Sequence, residues 1–348
     1  MLRGAISGFG EVAAQAHLPG WRSRTGVAIV AIHDPVSARR HHAINLVKNA
    51  RIYDDLDLML DGEALDFVDI ASPPAFHADA VRKALEAGAN VLVEKPLCLT
   101  GAEFDDLSAL AAKKSRILMC VHNWKHAPAY RRADEFVRSG DLGEIRYLEL
   151  ARLRSGPAGA GSSVGGERWR LAANTGGGIL IDHGWHVFYL MRWLMGGVAP
   201  VGISAHLGFQ AGAIGASPVD DVADLRVEFP ADRIANVHLS WRSPVRRTSA
   251  VIYGERAMLE IEGDRLILTR RSGASEDHSV ADMADDSYHS AWFAGMAADF
   301  ERALIEGADG PTVRENHAEI RAALALTEGA RRSAATGLRV AIAATASS

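Results

Sequence analysis

Cysteine is nearly missing from this chain: Cys98 and Cys120 are the only two in 348 residues. They stand far apart and outside any CxxC spacing, so neither a disulfide framework nor a cysteine zinc site is indicated, and both are expected to be buried free thiols. Long apolar runs are missing as well, and no stretch approaches the roughly 20 residues needed to cross a bilayer. A basic surplus is also missing, with 38 Lys and Arg against 43 Asp and Glu and a formal net charge of −5. That balance argues against a nucleic-acid partner, which calls for a concentrated cationic surface. Pairs such as Arg246-Arg247 and Arg331-Arg332 read as solvated faces. The opening "MLRGAISGFG" turns into strand and glycine loop at once. It leaves no room for the three regions of a signal peptide, so a cytoplasmic location is expected.

What is present is a globular composition, 48% hydrophobic and 23% charged, on a chain too long for one ordinary core. Apolar runs at "GAIS", "VAIVAIHD", "FVDIAS", "NVLVEK" and "ILMCVHN" are separated by helical segments such as "HADAVRKALEAG". That rhythm predicts βαβ units and a mostly parallel sheet over residues 1–123. After about residue 124 the pattern changes. A helix is expected near 128–139, then "EIRYLELARLR" as a strand, then the glycine- and serine-rich loop of residues 155–166. Alternating runs at "VGISAHLG", "DLRVEF", "ANVHLSW", "TSAVIYG" and "AMLEIEG" predict an antiparallel sheet, with closing helices at 291–306 and 314–335. The fold class is α/β: a Rossmann domain over 1–123 and a second α/β domain over 124–348.

The segment "GFGEVA", Gly8 to Ala13, matches G-x-G-x-x-G/A after the first expected strand and at the start of a helix. Gly8 permits the tight turn, Gly10 lets the main chain approach a pyrophosphate, and Ala13 keeps the helix close to the sheet. The phosphates would lie at the helix start beside Glu11 and Val12, where unpaired N–H groups and the helix dipole favour negative charge. Asp34 ends the second strand, where an acid accepts ribose hydroxyls and disfavours a 2′-phosphate. NAD is therefore preferred, with NADP left open by the nearby Arg39 and Arg40.

Ligands of open α/β sheets bind outside the carboxyl ends of the strands, which draws Ser72, Pro73 and His77 of "ASPPAFHADA" towards the cofactor. His77 has a second reading, as a residue that only fixes the loop. "VEKP" sets Glu94 and Lys95 at the next strand end, where a lysine beside an acid can serve as a fixed cation or proton donor. In "GGGILIDHGWH", Asp182 and His186 stand four apart in a run that is otherwise nearly all apolar. On a helix they share one face, one turn apart. A metal is not expected, because no third ligand is evident and His183 is rotated by about 100°.

With "GFGEVA", "ASPPAFH", "VEKP" and "GGGILIDHGWH" in this order, the chain resembles the glucose-fructose oxidoreductase / inositol dehydrogenase / rhizopine catabolism (Gfo/Idh/MocA) family over nearly its whole length. The resemblance implies NAD(P)-dependent oxidation or reduction of a hydroxyl or carbonyl on a sugar, cyclitol or related polyol. It implies a second domain whose large, mainly antiparallel sheet forms an oligomer interface, hence a homodimer or homotetramer. It also implies that Lys95, Asp182 and His186 line the active site, and it takes in Trp169-Arg170. Two departures stand out: a position that is often acidic is Tyr189, and a segment often of the form N-x-R-x-x-P reads "NWKHAP".

Oxidising an alcohol requires removal of the hydroxyl proton as hydride leaves the same carbon. Histidine suits that step, its ordinary pKa of about 6.5 lying near working pH. His186 is thus the expected general base, Lys95 the stabiliser of alkoxide charge and its rival for the proton, and Asp182 the holder of a neighbouring hydroxyl. Substrate contacts are expected from Asn123, Lys125, Arg154, Trp169 and Arg170. A hydrolase that keeps NAD and cleaves glycosides through transient oxidation stays open, as does a non-catalytic dinucleotide-binding regulator.

Overall fold

The structure is a computed structural model that describes residues 1–157, 169–209, 219–281 and 288–343. Most of the glycine- and serine-rich loop expected at 155–166 lies outside the described residues. Those residues fall into two compact units: 1–123 with Trp169 and 288–320, and 124–157 with 170–209, 219–281 and 321–343.

In the first unit six strands, β1 (Leu2–Ser7), β2 (Val27–His33), β3 (Arg51–Tyr53), β4 (Phe67–Ile70), β5 (Asn90–Val93) and β6 (Leu118–Cys120), form one sheet in the order β3-β2-β1-β4-β5-β6. Every pairing is parallel. β4 is buried at each residue and β5 at all but Asn90, which explains their near-continuous apolar sequences: helices cover both faces. The strand order reverses between β1 and β4, and open α/β sheets take their ligands outside the carboxyl ends of the strands at such a reversal. The helix Gly101–Lys114 starts on a capping box, in which Thr100 and Glu103 satisfy each other's main-chain N–H groups.

The unit is completed from far along the chain. The expected second domain, 124–348, gives up residues 288–320 to the first unit. The physical reason is aromatic burial: from the helix Ser290–Glu306, Phe293 and Phe300 pack on Trp21 at 5.7 and 6.1 Å between ring centroids, and Phe300 packs on Phe67 at 5.6 Å. At the edge of the sheet, the Asn316 side chain accepts from the Cys120 N–H (2.8 Å) and donates to the Cys120 carbonyl (2.9 Å). It thus takes the place of a seventh strand there.

In the second unit the strands β7 (Ile145–Leu153), β8 (Gly202–Phe209), β9 (Asp220–Phe229), β10 (Arg233–Ser240), β11 (Arg247–Gly254), β12 (Ala257–Glu262), β13 (Arg265–Arg270), β14 (Ser275–Asp277) and β15 (Val340–Ala341) form one sheet. Its order is β14-β13-β12-β11-β7-β10-β9-β8-β15. β7 and β10 run parallel and the other pairs antiparallel. Burial alternates along β7, β9 and β12, as a sheet with one packed face requires. Among the described residues no helix is long and apolar enough to cross a membrane.

Candidate active site

The residues expected to hold the cofactor gather on one edge of the first unit, each just past a strand end: Gly8 after β1, Asp34 after β2, Ser72 and Pro73 after β4, Glu94 and Lys95 after β5. Gly8 has φ +88°, and a Cβ there would stand 2.6 Å from the Ser72 main-chain nitrogen, so only glycine fits between these loops. A Cβ on Gly10 would meet nothing within 4 Å, which leaves the open approach a phosphate needs. The helical run that follows at Glu11 and Val12 presents first-turn N–H groups that no helix can satisfy internally. The Ser72 hydroxyl is buried with no hydrogen-bond partner among the described residues. The glycine turn, the open approach and the orphaned hydroxyl together fit a dinucleotide pyrophosphate.

Asp34 is fully buried, accepting the N–H groups of Phe9 (2.7 Å) and Val36 (2.8 Å), with the Arg39 guanidinium at 3.8 Å. Its negative charge therefore backs the glycine turn directly. For His77 the structure selects the second reading. The ring is wholly buried, and its nitrogens stand 2.7 Å from the Pro96 carbonyl and 2.6 Å from the Ser72 carbonyl. It ties the two strand-end loops together and offers no ring atom to a cofactor. Burial also pulls its pKa below the ordinary value.

Glu94 likewise faces inward, accepting the Lys95 N–H on one oxygen (2.9 Å) and meeting His17 Nε2 with the other (3.1 Å). His17 Nδ1 lies 2.9 Å from Asp69 Oδ2 in the middle of β4. Burial opposes a charge on His17, yet the attraction and hydrogen bonds of Asp69, joined by Glu94, outweigh it and push its pKa up to about 9. Sequence reasoning missed this trio. The available signal was Asp69 itself, an acid inside an apolar strand that demands a buried partner.

In the second unit the glycine triplet ends at Gly178 with φ +111°, where a Cβ would stand 2.4 Å from Asp220 Oδ1. Asp220, at the start of β9, accepts the Leu180 N–H (2.7 Å) and so anchors the turn Leu180–Gly184. That turn is wound wide, in π form, a local irregularity common at functional sites. It carries Asp182 and leads into the helix Trp185–Leu194, which carries His186. Asp182 is buried and accepts from Arg170 Nε (3.0 Å), with His183 Nε2 at 3.7 Å. His186 Nδ1 pairs with the Tyr189 hydroxyl (2.9 Å), which accepts the Trp124 N–H (3.1 Å). Tyr189, the departure noted at a position that is often acidic, therefore holds the His186 ring.

The expected substrate residues each have surroundings of their own. Lys125 lies over the Trp193 ring at 5.5 Å, and Arg170 is the partner of Asp182. Arg154 donates to the carbonyls of Leu153 and Arg247 and to the Thr248 hydroxyl, and burial beside Arg246 and Arg152 lowers its pKa to about 10. Its guanidinium thus serves as a brace between β7 and β11. In the first unit, Asn123 has a buried Oδ1 without a partner among the described residues, and Trp169 opens the short turn Trp169–Leu171. No group of three His, Cys, Asp or Glu able to hold a metal occurs among the described residues.

Residues 2–122 match the profile of the oxidoreductase family, NAD-binding Rossmann fold, and residues 130–260 match the GFO/IDH/MocA C-terminal domain. The chain belongs to the GFO/IDH/MocA family. Its relatives in that family include D-glucoside 3-dehydrogenase of Escherichia coli strain K12, 31% identical over 59% of this chain and 57% of the relative. D-apiose dehydrogenase of Paraburkholderia graminis is 30% identical over 56% of this chain and 50% of the relative. The matches thus span about half the length of these curated relatives. A solved levoglucosan dehydrogenase in complex with NADH superposes with a TM-score of 0.84 over 99% of this chain and 100% of that one. At 19% identity it shows that this member of the GFO/IDH/MocA family shares that fold.

Proposed function

We propose that the protein is an NAD-dependent dehydrogenase acting on a hydroxyl or carbonyl of a sugar, cyclitol or related polyol. The observation that carries the reading is the sheet edge of the first unit, where the Gly8 turn, the open approach at Gly10 and the orphaned Ser72 hydroxyl stand beside Lys95 at the next strand end. When bound, the nicotinamide gives or takes the hydride. Lys95 supplies a cation to the reacting oxygen and stabilises alkoxide charge. His186, held through Nδ1 by Tyr189, takes or returns the hydroxyl proton, and Asp182, oriented by Arg170, holds a neighbouring substrate hydroxyl. Asp34 disfavours the 2′-phosphate of NADP by its charge, an effect that Arg39 at 3.8 Å moderates. The sugar dehydrogenases among the relatives support the substrate class. A homodimer or homotetramer accompanies this reading.

The test is NADH formation followed by absorbance over a panel of sugars and cyclitols. Lys95→Ala and His186→Ala should each lower kcat by about 10²- to 10⁴-fold while NAD still binds. Parent-like turnover in either folded variant refutes that residue's assignment. Glycoside cleavage without net NADH would instead support the NAD-retaining hydrolase.

A further inference from the structure

Asp69 lies inside a strand buried at every residue, and an ionised carboxylate so placed persists only when paired and hydrogen-bonded. Its partners are His17 Nδ1, at 3.0 and 2.9 Å from its two oxygens, and the Trp21 indole N–H at 2.7 Å. The other face of the imidazole continues to Glu94, whose second oxygen accepts the Lys95 N–H. An imidazole between two carboxylates donates on both sides only when it carries both protons, so the ring stands as imidazolium. Phe293 seals it from above, stacked at 3.9 Å and 20°. His17 itself ends the wide π-form turn Ala13–His17, which directly follows the glycine loop. One hydrogen-bonded chain therefore links the middle of β4 to the main chain of Lys95.

We propose that His17 is a positioning residue for Lys95: by bridging Asp69 and Glu94 it holds the Glu94 carboxylate on the Lys95 amide. It thereby sets both where the Lys95 side chain starts and the field in which its ammonium stands. The inference rests on the reading of Lys95 as the active-site cation. The charges around His17 are Asp69 from β4 and Glu94 from the end of β5, with Lys95 the next beyond Glu94; its remaining neighbours here, Trp21 and Phe293, are uncharged. Asp69, His17, Glu94 and Lys95 form an alternating row of net charge zero. While charged, the His17 ring offsets its two carboxylates, so the field at the Lys95 ammonium changes when that ring loses its proton.

The chain has six lysines, so reductive ¹³C-methylation followed by an NMR titration can resolve Lys95, with Lys95→Arg assigning its signal. In the parent the Lys95 methyl signal should show a step near pH 9, where His17 loses its proton, and in His17→Gln that step should be absent. In Glu94→Gln, which removes one of the two acids that hold the His17 proton, the step should move to lower pH. Phe293→Leu loosens the same ring without touching a charge and should lower the melting temperature while leaving the titration in place. If folded His17→Gln titrates like the parent, the proposal is overturned. Should His17→Gln fail to fold, Glu94→Gln decides the matter, and a parent-like titration there overturns the proposal equally. The titration needs no substrate, so a failure of the dehydrogenase reading shows separately, as no NADH from any polyol.

Discussion

Tyr189→Phe keeps the ring that packs in the core and removes the hydroxyl that serves both His186 and the Trp124 N–H. A buried N–H left without a partner costs about 1–3 kcal/mol, which a denaturation curve should show. The pH profile of kcat should also shift, because His186 loses the partner on its Nδ1; a profile matching the parent would limit Tyr189 to packing. Asp34→Ala removes the charge that disfavours a 2′-phosphate, so binding of NAD should weaken more than binding of NADP, and an equal loss for both would sink the ribose argument. Of the individual residues, the turn at Gly8 was legible because its local motif announces it, and the readings of Lys95, Asp182 and His186 likewise come from local motifs. His17, Asp69 and Asp220 were not, because each acts through a partner remote in sequence, 52 positions apart for His17 and Asp69 and 40 for Leu180 and Asp220.

Among the elements, the turn that carries Asp182 depends on Asp220, which accepts the Leu180 N–H and fills the space that a Cβ on Gly178 would need. Gly178→Ala forces a Cβ to 2.4 Å from the carboxylate at φ +111°, a conformation that costs on the order of 1–3 kcal/mol even without the clash. Reduced stability in chemical denaturation and a fall in kcat that exceeds any change in NAD affinity are expected; unchanged kcat would show that the turn tolerates the shift. The helices read from periodicity at 128–139, 291–306 and 314–335 appear as Pro128–Arg138, Ser290–Glu306 and Pro311–Thr336. The wide turns Ala13–His17 and Leu180–Gly184 were invisible, because the same apolar spacing serves an α-helical turn.

At the scale of the whole molecule, the trio of Asp69, His17 and Glu94 makes stability depend on pH at both ends. The His17 pKa, raised to about 9, contributes stability that is full below the ordinary value near 6.5 and is lost as pH rises through about 9. Burial works against the Glu94 charge, but the hydrogen bond and attraction of His17, with Lys95, hold its pKa below the ordinary value. Its contribution is therefore present above about 4.5 and is lost as pH falls through the depressed value. Thermal melts across the pH range should show a plateau between these limits, and His17→Gln should flatten the alkaline decline. An alkaline limb that is the same in both proteins would show that His17 does not titrate in the folded chain.

The chain's own order of residues determined the alternation of strand and helix, the glycine turn, the acid after β2 and the two motifs that hold Lys95 and Asp182 with His186. Those features are local, since hydrophobic period and turn chemistry act within a few residues. Tertiary structure alone decided that Phe293 and Phe300, late in the chain, seal the core of the first unit, and that Asn316 completes the edge at Cys120. It also decided that the acid of "EKP" turns inward to His17. The reason is that a buried charge is tolerated only where another group meets it, and the sequence does not state which distant group that is.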